Sequence, residues 1–328
     1  MSQLVGRPSQ AVLDGLGRPS YKKHMTLSLP LTAELPAPFV GLSHLDELWF
    51  QVAGTVCNLE CRHCFISCSP HNHAFGFLDL ETVRRALDES IKLGVKEYYF
   101  TGGEPFLNRD MVAILELTLR CGPATVLTNG TVLQADWLKR LRKAEETSPY
   151  SLEFRVSIDG FTAEDNDPVR GAGTFERILR GIGLLVEHEF LPIITVTRTS
   201  DEQDDAALVA GFVKLLQAHG YQRPRLKILP TLRIGAEVQR QRGYQCHERV
   251  TPQMMEGYDA GLLLCNHSRI VTDRGVFVCP ILIEAADARL GSTLTDAMQS
   301  FALRHQACYT CYQYGALCAN PSGGPRNA

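Results

Sequence analysis

The chain has 328 residues, 45% of them hydrophobic, a formal net charge of −3 and 11 cysteines. That length suits one large α/β domain with a smaller appendage, and the near-neutral charge excludes a general attraction to nucleic acid or acidic membranes. No apolar run approaches the ~20 residues of a membrane span and no secretory h-region follows a basic start, so a cytoplasmic, reducing setting is expected, where clustered cysteines serve metal or catalysis.

Residues 1–44 carry Pro8, Pro19, Pro30, Pro36 and Pro38 and read as an irregular arm. From Leu45, strand-like runs at 45–54, 97–103, 124–130, 152–160, 192–200 and 225–235 alternate with helix-like stretches at 78–94, 109–122, 134–146, 174–189 and 201–220. Asp79 is placed to cap the first helix and Gly94 to end it. Six such alternations over 45–235 predict parallel strands covered by helices, an α/β fold. Residues 236–261 form a polar bridge, and 262–280 predict a hairpin turning at Asp273-Arg274-Gly275. A helix is expected over 293–306, a cysteine-rich segment completes a unit spanning 262–320, and 321–328 read as a flexible tail.

Parallel sheets place their chemistry at the C-terminal ends of the strands. The polar signatures fall there. Cys57, Cys61 and Cys64 follow the first strand; Gly102, Gly103 and Glu104 the second; Thr128 and Asn129 the third; Ser157 and Asp159 the fourth; Thr197 and Arg198 the fifth. Three close thiolates can ligate three irons of a [4Fe–4S] cluster and leave the fourth iron open. Zinc is the competing reading, with Cys68, His63, His71 or His73 as further donors.

The Cys-x3-Cys-x2-Cys spacing, followed one helix and one strand later by TGGEP, resembles the radical S-adenosylmethionine (SAM) superfamily. The resemblance implies a partial (β/α)6 barrel whose open iron binds the cofactor's methionyl group. It also implies reductive cleavage of SAM to a 5′-deoxyadenosyl radical that abstracts hydrogen from substrate. Gly102, Gly103, Glu104, Asn129, Ser157, Asp159 and Thr197 are then expected to bind SAM. His63 takes a position near adenine, although a loop histidine fits equally. Arg170, in DPVRGAG, reads as a holder of a substrate carboxylate or as a surface arginine.

Cys265, Cys279, Cys308, Cys311 and Cys318 form a second group around the hairpin. It resembles the SPASM/twitch extension of that superfamily, in the shorter twitch form with one auxiliary [4Fe–4S] cluster. Cys318 competes for one ligand position, and a zinc ribbon is the alternative. The resemblance implies an enzyme that oxidises or crosslinks a small molecule or peptide, fed by a flavodoxin- or ferredoxin-like electron donor. Two other readings stay open: SAM-dependent group transfer at the same cluster, and a non-catalytic iron–sulfur electron carrier or redox sensor. The 44 residues before the barrel are too short for the leader-reading module of some members, which favours a small molecule or short peptide. Asp259, Asp273 and Glu284 read as surface carboxylates rather than proton acceptors.

Overall fold

The computed structural model describes residues 36–198, 204–315 and 317, together with Val12–Leu13 and Pro19–Ser20. The chain divides into two compact units, residues 1–35 and residues 36–328. In the first, Val12–Leu13 pairs antiparallel with Pro19–Ser20. Most of the expected arm, Cys318 and the expected tail lie outside the described residues.

In the second unit, six strands run parallel and pair in sequence order: β1 (Glu47–Gln51), β2 (Glu97–Thr101), β3 (Ala124–Thr128), β4 (Leu152–Ser157), β5 (Ile193–Thr197) and β6 (Arg225–Leu229). The helices between them are α1 (Leu80–Lys92), α2 (Met111–Thr118), α3 (Ala135–Glu146), α4 (Ala163–Arg170), α5 (Thr174–Glu187) and α6 (Asp205–Ala218). Asp79 caps α1 as expected, accepting from the Thr82 N–H at 2.7 Å. The strands end earlier than the sequence runs, because the polar residues that close each run leave the ladder to form the rim. This is the α/β architecture that the six alternations predicted and the partial barrel that the resemblance implied.

Strand side chains alternate between faces. Leu48, Phe50, Tyr98, Phe100, Val126, Phe154, Val156, Ile194 and Val196 point outward and join the core under the helices. Trp49, Gln51, Thr101, Leu127, Arg155, Ser157, Thr195, Thr197, Lys227 and Leu229 point inward and line a cavity. The outward core fixes the register, because a one-residue slip would bury the wrong set.

The C-terminal hairpin shares this sheet. β7 (Ser268–Thr272) lies parallel to β1, with Ile270 opposite Trp49. β8 (Gly275–Phe277) and β9 (Arg289–Gly291) continue antiparallel. The sheet has nine strands in the order β9-β8-β7-β1-β2-β3-β4-β5-β6. No helix among the described residues is long and apolar enough to cross a membrane.

The helix expected over 293–306 does not form. The Arg269 guanidinium, almost fully buried, donates to the carbonyls of Ala297 (2.8 Å), Gln299 (2.6 Å) and Cys265 (2.8 Å). The Ala297 and Gln299 carbonyls are thereby withdrawn from helical pairing. Phe301–Ala302 instead pairs antiparallel with Phe39–Val40. A helix does follow, α7 (Ala307–Tyr314).

Candidate functional site

The cavity opens at the C-terminal ends of β1–β6 and holds about 1350 Å3 of empty volume, solvent at its mouth included. Cys57, Cys61 and Cys64, in the loop after β1, line it together with Gly102 and Gly103 from the loop after β2. The two loops are laced together: the Gly103 N–H donates to the Gly54 carbonyl at 3.0 Å and the Glu104 N–H to the Val56 carbonyl at 3.1 Å. A Cβ at residue 103 would stand 1.9 Å from the Val56 oxygen, so only glycine permits this approach. Gly103→Ala is therefore expected to cost upwards of about 3 kcal/mol, read by urea unfolding, by forcing the cysteine loop off its seat.

Glu104 turns away from the cavity. Its carboxylate accepts from Thr128 Oγ1 (2.7 Å), the Asn129 N–H (2.7 Å) and the Phe106 N–H (3.1 Å). It braces the loops after β2 and β3 against each other. Burial pushes its carboxyl up to about 7, against these donors, which favour the charged form. The native state thus holds this proton more tightly than the unfolded chain. The contribution to stability is full below the ordinary glutamate range and is lost as pH rises through about 7. Glu104→Gln should flatten that slope in melts taken across about pH 5 to 8, and should cost about 1–3 kcal/mol by placing an amide N–H against the Asn129 N–H.

The Asn129 side chain reaches the cysteine loop, with Nδ2 2.9 Å from Asn58 Oδ1 and 3.7 Å from Cys57 Sγ. Ser157 and Thr197 line the cavity, whereas Asp159 lies behind its wall, fully buried. Asp159 Oδ2 is 2.6 Å from Arg170 Nε and 2.8 Å from His63 Nε2, and Oδ1 accepts from the Thr197 N–H at 2.9 Å. Burial works to raise this carboxyl, but Arg170, His63 and the Thr197 N–H outweigh it and hold it well below the usual carboxylate range. Arg170 is no surface residue: it is 6% exposed and projects from the end of α4 to line the cavity beside His63. Arg198 is engaged elsewhere, with Asp205 at 2.5 Å.

The thiols fit a metal cluster by their chemistry. Burial pushes Cys57 up to about 12 and Cys61 up to about 11, so a thiolate at either place needs a cation against it. The Cys68 N–H donates to Cys64 Sγ at 3.3 Å, and the Cys68 thiol is held protonated by its hydrogen bond to Cys64 and by burial. Among the described residues no three Cys, His, Asp or Glu side chains converge as around a single ion. Cluster thiolates each take a separate iron and stand further apart.

The second cysteine group also meets in one place. Cys265, Cys279, Cys308 and Cys311 line an apolar cavity with Leu263, Val278 and Phe301. Cys308 and Cys311 share one face of α7, three residues apart. Tyr258 anchors that helix by stacking on Tyr312, ring centroids 4.5 Å apart. Burial pushes Cys265 up to about 11 and holds Cys308 well above the ordinary thiol range. Cys279 faces this cavity while its neighbour Pro280 lines the barrel cavity, so adjacent residues border the two. Cys318 lies outside the described residues. Of the three carboxylates considered as proton acceptors, none lines the barrel cavity; Asp259 caps the Gly261 N–H and Asp273 accepts from the Gly76 N–H at 2.8 Å.

Arg155 and Lys227, both lining the barrel cavity, were not singled out in the sequence. The available signal was a charged residue in the middle of an otherwise apolar, doubly covered strand.

The sequence profile of the radical SAM superfamily matches residues 52–204. An AdoMet-dependent heme synthase of Methanosarcina barkeri is 33% identical over 175 residues, 53% of this chain and 48% of that protein. The mycofactocin maturase MftC of Mycobacterium ulcerans is 28% identical over 159 residues, 47% of this chain and 41% of that protein. The chain thus spans about half the length, or less, of these curated relatives. Among solved structures, anSMEcpe with bound AdoMet and a peptide superposes with a TM-score of 0.56 at 19% identity, covering 76% of this chain and 79% of that one. SuiB of Streptococcus suis bound to its precursor peptide SuiA gives 0.60 at 14% identity, covering 78% and 65%. These likenesses show the fold.

Proposed function

We propose that this chain, which carries a radical SAM domain, is an enzyme that cleaves SAM reductively and abstracts hydrogen from a small molecule or peptide. The single observation that supports this most is the meeting of Cys57, Cys61 and Cys64 with Gly102 and Gly103 around one large cavity. When bound there, a [4Fe–4S] cluster with SAM would supply a 5′-deoxyadenosyl radical. Cys57, Cys61 and Cys64 would hold the cluster. Gly102 and Gly103 would present backbone groups to the methionyl moiety, and Ser157 and Thr197 hydroxyls to the rest of SAM. Asn129 and Glu104 would fix the loops, and Asp159 would orient His63 and Arg170. The enclosing strands would shield a reactive centre at the cavity floor from side reactions.

Cys265, Cys279, Cys308 and Cys311 would hold one auxiliary [4Fe–4S] cluster, which would supply one-electron redox capacity beside the barrel. A flavodoxin- or ferredoxin-like protein would supply the priming electron. A peptide substrate is favoured by the neighbours solved with peptides bound, anSMEcpe with the Cp18Cys peptide and SuiB with its precursor peptide SuiA. The test is anaerobic reconstitution followed by reduction with dithionite in the presence of SAM. Formation of methionine and 5′-deoxyadenosine is expected; a fully loaded protein that forms neither would leave the electron-carrier reading. Labelled SAM whose methyl or aminocarboxypropyl group appears in product would establish group transfer instead.

A further inference from the structure

Arg269, on β7, is a cation only 1% exposed. Its guanidinium donates to four carbonyls: Nε to Ala297 (2.8 Å), Nη1 to Cys265 (2.8 Å) and Ser268 (2.6 Å), and Nη2 to Gln299 (2.6 Å). Carbonyl dipoles satisfy its N–H groups but leave its net charge uncancelled. Its register partner on β1 is Leu48, which belongs to the core under the helices. Glu47, next to Leu48, faces the opposite side of the sheet, where Arg155 and Lys227 act on it. Among the described residues no Asp or Glu pairs with Arg269, and the groups whose charge acts on it are the thiols of Cys265 and Cys279.

A buried charge without a counter-charge destabilises a fold. The second cavity lies where the missing charge belongs. Cys265 and Cys279 line it with Cys308 and Cys311, and every other lining residue is Leu, Val, Ile, Phe or Ala. No carboxylate and no cation stands in that lining. The one cation that acts on Cys265 is Arg269. Four thiolates around a cluster carry more negative charge than its irons cancel, and in an apolar setting that charge is felt strongly.

We propose that Arg269 is the counter-charge of the auxiliary centre, a positioning residue that offsets the cluster's negative charge and raises its reduction potential. Reduction adds one more negative charge to the centre, and a fixed cation beside two of its ligands favours that step. The inference rests on the reading of Cys265, Cys279, Cys308 and Cys311 as ligands of a [4Fe–4S] cluster.

The test is a redox titration of the reconstituted holoenzyme, followed by electron paramagnetic resonance and read without turnover. SAM perturbs the signal of the barrel cluster and so separates it from the auxiliary one. At a fixed potential, Arg269→Gln is expected to lower the ratio of reduced to oxidised auxiliary cluster about tenfold, a shift of about 59 mV for a one-electron couple. Arg269→Lys keeps the charge and loses the planar fork, so its ratio is expected within about threefold of the wild type. Equal shifts in the two variants would make the fork rather than the charge responsible and overturn the proposal. An unshifted Arg269→Gln overturns it as well. Arg269→Met, which fills the space without the charge, takes the place of Arg269→Gln if that variant does not fold. A folded, loaded Arg269→Lys whose ratio falls about tenfold overturns the proposal by itself. Metal and sulfide analysis distinguishes the two levels of the argument. A wild type with zinc on the C-terminal cysteines overturns the cluster reading and this inference with it, whereas two clusters indifferent to residue 269 overturn this inference alone.

Discussion

Replacing Cys61 by alanine is expected to abolish 5′-deoxyadenosine formation and to lower bound iron by about half, the auxiliary cluster remaining. The thiol is one of three that line the barrel cavity, and burial holds it up to about 11. With two thiols left, a cluster would lose the protein ligand nearest Arg170. The reciprocal variant, Cys308→Ala, is expected to lose iron similarly but to keep SAM cleavage, because its thiol lines the other cavity. Iron analysis, visible absorption and product chromatography read both. Undiminished cleavage by Cys61→Ala would sink the assignment of the triplet, and loss of cleavage in both variants would show that the two cysteine groups do not serve separate centres.

Asp159→Asn is expected to cost about 3–5 kcal/mol in urea unfolding, because it leaves the Arg170 guanidinium buried without its counter-charge. Arg170 Nε and His63 Nε2 both address the same Asp159 oxygen, at 2.6 and 2.8 Å. An amide can replace the shape of that group but not its charge. The Asp159→Asn/Arg170→Met double variant should recover much of the loss, since it removes the stranded cation. The pH dependence follows from the depressed carboxyl. Its contribution is fully present above the ordinary aspartate range and is lost as pH falls below it toward the lower folded value. The acid limb of the stability profile should therefore be shallower in Asp159→Asn than in the wild type. Parallel acid limbs would show that the pairing with Arg170 contributes little to folding.

The parallel sheet was legible in the sequence because strands covered on both faces are written as apolar runs, and the rim because polar residues close those runs. What the sequence hid was contact between distant segments. Arg170 read as a surface arginine or a substrate contact; it is instead buried against Asp159, which the end of β4 places. The stretch 293–306 carries a sound helical pattern, and it is overridden by one buried guanidinium from β7. Glu104 was read as a cofactor contact because nothing local shows that Thr128 and Asn129 fold back onto its carboxylate. Local pattern specified the elements; long-range polar pairs decided which side chains face the cavity.

The pairing of β7 with β1 bears on how the chain is made. The first strand of the barrel receives its second neighbour from residues 268–271, more than two hundred residues downstream. At ~5–20 residues per second of synthesis, that edge stays unpaired for on the order of ten seconds or more. Through that interval the nascent chain presents an open strand carrying Trp49 and Phe50, the kind of edge on which strands of other chains add. Ribosome pace and chaperone supply, rather than final stability, should then set how much of this protein reaches its native form.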